Sequence, residues 1–175
     1  MKKVVVYAVM MLLLPLVSTS FAKDMKVGFI DSEKVFATSD EGLQVQKNVE
    51  EFVQSRQTIV DIAEKELRQL EDDFKIQASL LSPDAVKMKQ EEMQKKFSQY
   101  QKKAREMNKE VQDKKLETSN SFFKSLESAI KALSEKEGYD FVLNKTKEGG
   151  AVLFSNDADD ITDKVIAKLN EMTKK

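Results

Sequence analysis

The chain of 175 residues has no cysteine, no histidine and no tryptophan. Without cysteine it has no disulfide framework, no thiol nucleophile and no lipid-modified N-terminal cysteine. Without histidine, zinc-finger sites, Ser-His-Asp triads and imidazole general bases are excluded too. Chain breakers are scarce: two prolines and five glycines. No glycine occurs between Gly42 and Gly138, and the one proline in that interval is Pro83. The length allows one domain of ordinary size. A formal charge of −1, with no interleaved aromatics, argues against a nucleic-acid surface.

What fills the glycine-free interval is a seam. Val45, Val49, Phe52, Arg56, Ile59 and Ala63 recur at steps of four and three, and after a one-residue slip the series continues through Leu67, Leu70, Phe74, Gln77 and Leu81. Beyond Pro83 run Val86, Gln90, Met93, Phe97, Tyr100, Ala104, Met107 and Val111. A 3.5-residue apolar period is a coiled-coil signature, and the slip is a stutter that changes supercoiling without ending the helix. Ser82 suits an N-cap and Pro83 a first turn. A single straight helix is the simpler alternative, but Ser-Pro inside a long helix marks a boundary. The chain therefore turns near residues 81–84 and returns antiparallel, with Phe74 near Met93, Leu70 near Phe97, Leu67 near Tyr100 and Ala63 near Ala104. Met93, Phe97 and Met107 read as seam core. Asp61/Lys65, Glu64/Arg68, Glu71/Lys75, Glu91/Lys95, Glu92/Lys96 and Glu110/Lys114 are acid-first pairs at supportive spacing.

The ends of the chain differ from this middle. Met1–Ala22 has the form of a signal peptide: Lys2 and Lys3, an apolar run Val4–Val17, then Ser20-Phe21-Ala22 before a cut between Ala22 and Lys23. The apolar run is short for a membrane span. Removing it leaves 27 basic and 30 acidic residues. Lys26–Asp31 predicts a short strand, with Val27 and Phe29 on one face and Ile30 on the other. Asp31 or Ser32 then caps a helical turn through Val35 and Phe36. Tyr139–Asn144 and Ala151–Ser155, around Lys147-Glu148-Gly149-Gly150, predict a β-hairpin. Asp159 or Asp160 caps a last helix whose buried stripe is Ile161, Val165, Ile166, Leu169 and Met172.

The division that follows is residues 23–44 and 134–175 as a β-rich body and 45–133 as a helical arm. A body of 64 residues is too small to be stable alone, and its strands leave open edges. It is therefore expected to oligomerise through Val27, Phe29, Phe141, Leu143, Val152 and Phe154. The fold class is α+β: a small sheet or barrel body carrying a long antiparallel helical hairpin.

The signal segment, Val27-Gly28-Phe29-Ile30-Asp31 leading to Lys34-Val35-Phe36, then Ser39 and Gly42, a long charged hairpin, Tyr139-Asp140-Phe141-Val142-Leu143 and Asp160-Ile161-Thr162 together resemble the Skp/OmpH family of periplasmic chaperones. The resemblance covers essentially the whole mature chain and rests on the order and spacing of these pieces. It implies a homotrimer with a small β-barrel body. Three arms would enclose a cavity that holds unfolded outer-membrane proteins without ATP, and no cofactor or metal would be involved. Family members are often strongly basic, whereas this mature chain is slightly acidic, so no lipopolysaccharide-binding residues are carried over.

The bottom-up candidates for client contact lie in the distal arm. Phe74–Arg105 holds eight bases and three acids, whereas Asp40–Asp73 holds four bases and ten acids. Lys87, Lys89, Lys95 and Lys96 are thus candidates for attracting acidic clients or lipid headgroups. Ile76, Leu80 and Met88, with Ile62, lie off the seam and are candidates for adaptable apolar contact. A structural or adaptor coiled coil of the cell envelope is the alternative function. An enzyme is not expected, because the arm's acids lie on exposed faces among lysines and Gly149-Gly150 is explained by turn chemistry.

Overall fold

The computed structural model describes residues 24–145, 152 and 154–174. The predicted signal segment, its cut at Ala22 and Lys23, and the glycine-bearing loop at 146–150 lie outside the described residues. The chain runs β1 (Val27–Ile30), α1 (Ser32–Thr38), α2 (Asp40–Gln77), a 3-10 turn (Ala78–Leu80), α3 (Pro83–Glu137), β2 (Phe141–Asn144), a second 3-10 turn (Asp157–Asp159) and α4 (Thr162–Thr173).

Helices α2 and α3 form the hairpin. The 38 residues of α2 span about 57 Å at 1.5 Å per residue. Ser82 caps α3, its hydroxyl accepting from the Ala85 amide at 3.3 Å, and Pro83 stands in the first turn. Leu67 and Tyr100 line one groove with Ala63 and Lys103, and Leu70 and Lys96 line the next. Arg56 Nε meets Glu110 Oε2 across the hairpin at 2.5 Å, and its guanidinium covers the Phe52 ring at 4.1 Å. A charged residue is thus held in the seam by a carboxylate and an aromatic face. Leu67 and Met107 are buried, and Phe74, Met93, Tyr100, Ala104 and Val111 are half-buried.

Phe97 departs from its expected place: it is 42% exposed. The seam steps from Met93 to Tyr100, and Lys96 lines the groove beside Leu70 while Phe97 turns to the other flank. Two helices bury only the narrow strip between them, and Phe97 stands just beyond its edge. The ion pairs also differ. Glu64–Arg68 forms, but Lys75 turns to Asp72, Glu110 crosses to Arg56 and Lys114 turns to Glu117.

Beneath the arm, β1 and β2 pair in parallel, with Val27 opposite Phe141 and Phe29 opposite Leu143. Phe29 also bridges to Asp160. The core joins Ile30 and Val35 to Phe122, Leu126, Ala129 and Leu133 of α3 and to Ile161, Val165 and Leu169. The root of α3 therefore fills the body's interior, which the short strands alone could not. In the last helix Met172 stays 38% exposed, outside the buried stripe. Gly138 ends α3 at φ 78°, a left-handed conformation that suits glycine.

The predicted strand over Ala151–Ser155 does not appear where it is described. Val152, Phe154 and Ser155 carry no strand, and β2 pairs with β1 rather than with them. Phe154 is 88% exposed, and an alternating pattern yields a strand where one of its faces is covered.

Candidate assembly and binding surfaces

Three structural features point outward. The first is the open face of the sheet. Gly28 and Ile30 face the core, and Val27 and Phe29 lie half-buried on the other side. Phe141 and Leu143, their register partners, are exposed. They leave an apolar surface without a cover among the described residues, and Phe154, later in the chain, is exposed as well. Val152 is half-buried.

The second is the arm tip. Leu80 is 85% exposed, Ile76 73% and Met88 71%. Met88 lines a shallow groove with Leu81, Ala85, Lys89 and Glu92, and Lys89 is tied to Glu92 at 3.0 Å. Ile62 is exposed farther down α2. The short 3-10 turn explains this crowding. The chain reverses in a few residues, so apolar side chains there have no second helix to pack against.

The third is charge, and here the structure corrects a sequence expectation. In sequence the distal arm looks positive. In the hairpin, residues 61–73 of α2 lie beside residues 94–106 of α3. The former carry six acids and two bases, the latter five bases and one acid. The net charges of −4 and +4 cancel. Linear counting separates what the fold lays side by side. Lys87, Lys95 and Lys96 are exposed but share this balanced arm.

Sequence reasoning missed Leu43, Leu116 and Phe123, which are large, apolar and exposed at the arm's root. Leu116 and Phe123 are seven residues apart on α3, off the seam. That spacing was the available signal.

At the junction of β1 and α4 a polar knot replaces apolar packing. The Asp31 amide donates to Thr162 Oγ1 at 2.9 Å, and that hydroxyl donates to Asp160 Oδ1 at 2.5 Å. The Thr162 amide also reaches Asp160 Oδ1, and Lys145 Nζ reaches Asp160 Oδ2 at 2.8 Å. Burial opposes ionisation of Asp160, but the hydrogen bonds from Lys145 and Thr162 outweigh it and hold its pKa down at about 2. Neither Asp159 nor Asp160 is the cap of the last helix: Ile161 holds that position without a side-chain cap, and Asp160, one residue earlier, accepts from the Thr162 amide instead. Nearby, the hydrogen bond from Lys164 lowers the pKa of Glu137. Among the described residues no cluster of acids has the spacing of a metal site, and no helix is long and apolar enough to cross a membrane.

The profile of the family "Outer membrane protein (OmpH-like)" matches residues 26–169, from β1 to within α4. The chain belongs to the OmpH-like family. Among solved structures, an OmpH-like protein of Caulobacter crescentus CB15, described as a candidate outer membrane chaperone, superimposes with a TM-score of 0.77. It is 21% identical, and 85% of each chain is covered. At that identity the likeness establishes the shared fold. No curated protein matches the chain. The OmpH-like fold thus accounts for both the hairpin and the small sheet, and the α3 root and α4 core are parts of it.

Proposed function

We propose that this OmpH-like protein is an ATP-independent periplasmic holdase. Three copies join through their bodies, and unfolded outer-membrane proteins are held between their arms. Residues 1–22 direct export and are removed between Ala22 and Lys23. Residues 23–44 and 134–175 form the joining body, and 45–133 the arm.

The observation that carries this reading is the exposure of large apolar side chains in two separate places. The open sheet face, with Phe141, Leu143 and Phe154, suits a partner that is always present, a second copy of the chain. Val27 and Phe29 border that face, and Val152 is a further candidate for the same contact. The tip residues Ile76, Leu80 and Met88 suit a partner that comes and goes. Flexible apolar side chains on a long arm adapt to many unfolded sequences. Lys87, Lys89, Lys95 and Lys96 stand close by and add short-range contacts to acidic client segments or to anionic headgroups. Because the arm's charges balance, long-range attraction is a smaller part of capture than apolar contact.

Sedimentation equilibrium tests the assembly. Mature protein is expected to be trimeric at micromolar concentration, and Phe141→Asp or Phe29→Asp to dissociate it with arm helicity retained. A stable wild-type monomer would contradict the proposal.

A further inference from the structure

The chain lacks cysteine, so methionine carries all of its sulfur redox chemistry. Of its eight methionines, Met1, Met10 and Met11 lie in the signal segment and five belong to the mature chain. The fold sorts these five by access. Met107 is buried in the seam and Met93 half-buried in it. Met172, near the end of α4, is 38% exposed. Met25, ahead of β1, is 63% exposed and Met88 71%. A small oxidant dissolved in water therefore reaches Met25 and Met88 first. Of these two, Met88 stands where its polarity bears on binding. It lines the tip groove with Leu81, Ala85, Lys89 and Glu92, and Ile76 and Leu80 are exposed at the same tip. The Ser82 cap and Pro83 fix the start of α3, which keeps Met88 along that groove.

We infer that Met88 is an oxidation site through which peroxides weaken client holding at the arm tip. This rests on the holdase reading above. The thioether sulfur of Met88 attacks one oxygen of hydrogen peroxide. An S–O bond forms, the O–O bond breaks and water leaves, so sulfur gives up two electrons and the peroxide takes them. The product, methionine sulfoxide, puts a strong hydrogen-bond acceptor where a flexible apolar group stood. An apolar client segment laid over the groove offers that oxygen no donor, and covering it then costs free energy. Clients therefore leave the oxidised tip sooner. The hairpin itself is spared, because Met88 stands outside the packed seam while Met107 is sheltered within it. The change is reversible. A methionine sulfoxide reductase removes the oxygen as water while two thiols become a disulfide, and those thiols come from outside this chain. The adaptability that suits methionine to many clients thus comes with a chemical handle on the same atom.

The test treats the full mature protein with graded hydrogen peroxide, removes the excess with catalase and maps each methionine by peptide mass spectrometry. Met88 and Met25 should gain an oxygen at the lowest doses and Met107 at the highest. Affinity for a fluorescent, urea-unfolded β-barrel outer-membrane protein is then measured, each variant being compared with itself before and after peroxide. Wild type should weaken on the order of tenfold once Met88 is converted. Met25→Leu should weaken as much, and Met88→Leu should not respond. Met88→Gln, which puts a polar amide at this position, should bind about as weakly without peroxide as oxidised wild type does. Sulfoxide reductase with a thiol should restore wild type. Far-UV circular dichroism should be unchanged at the low doses, which separates a local change of polarity from unfolding. Equal weakening of wild type and Met88→Leu, or undiminished binding by fully converted wild type, would overturn the oxidation site and leave the holdase standing. No binding by the untreated protein would overturn both.

Discussion

Gly42 offers the sharpest test of how arm and body are joined. It lies in the first turn of α2, where propensity alone says that alanine would be the better helix former by about 1 kcal/mol. Packing says the opposite. Helix α1 ends at Ser39, whose amide donates to the Val35 carbonyl at 2.9 Å and whose hydroxyl accepts from the Gly42 amide at 3.1 Å. A Cβ at Gly42 would lie 2.0 Å from the Phe36 carbonyl oxygen and 2.9 Å from Ser39 Oγ. The first neighbour is backbone, held by the corner itself, and cannot rotate away. Relief requires moving α1 off α2, which weakens the Ser39 cap, worth about 1 kcal/mol, and strains the packed corner by about 1–3 kcal/mol. After subtracting the propensity gain, Gly42→Ala should destabilise the protein by about 1–3 kcal/mol. At this chain size the midpoint should fall by about 2–4 °C per kcal/mol in a thermal melt followed by circular dichroism. An unchanged or raised midpoint would mean that the corner is not tight and that α2 is free to pivot on the body.

Two aromatic residues on α3 should behave oppositely. Phe122 is fully buried and meets Phe36 edge-on at 4.9 Å, so Phe122→Ala should cost about 3–5 kcal/mol in denaturant unfolding. Phe97→Ala, at a 42% exposed position, should cost under about 1.5 kcal/mol, with little change in amide exchange across residues 67–81. The Asp160 knot predicts a pH window. Its depressed carboxyl contributes its full stability above the unfolded pKa near 3.9 and loses it as pH falls through about 2. The shift corresponds to at most about 2.5 kcal/mol, and partial exposure reduces this to about 1–2 kcal/mol. Asp160→Asn should lower stability at neutral pH, and its difference from wild type should shrink between about pH 4 and pH 2. A constant difference across that range would show that the charge of Asp160 contributes nothing.

The arm was the most legible part of the sequence. A heptad seam, a breaker-free interval and one Ser-Pro fix helix, turn and register through local rules, and Leu67 does share a groove with Tyr100. Phe97 was misread because a two-helix seam buries fewer positions than a heptad pattern marks. The body was harder. Its two strands are parallel partners more than a hundred residues apart, and pairing at that distance leaves no turn signal to read. Val152, Phe154 and Ser155 looked like part of a strand because alternation is local, whereas the cover that a strand face needs is not. The binding surfaces were half-legible. Off-seam apolar residues announced the tip, but charge counted along the sequence gave a positive arm where the hairpin gives a balanced one.

The central claim is tested most directly by diluting a urea-unfolded β-barrel outer-membrane protein into buffer with and without the mature chain and following turbidity. The account predicts that wild type suppresses aggregation without ATP. The variant with Ile76, Leu80 and Met88 all changed to Ser should fail to do so while remaining an oligomer. Suppression by that variant equal to wild type would move client binding away from the tip. No suppression by the wild-type protein would contradict the holdase account and leave a structural coiled coil of the envelope.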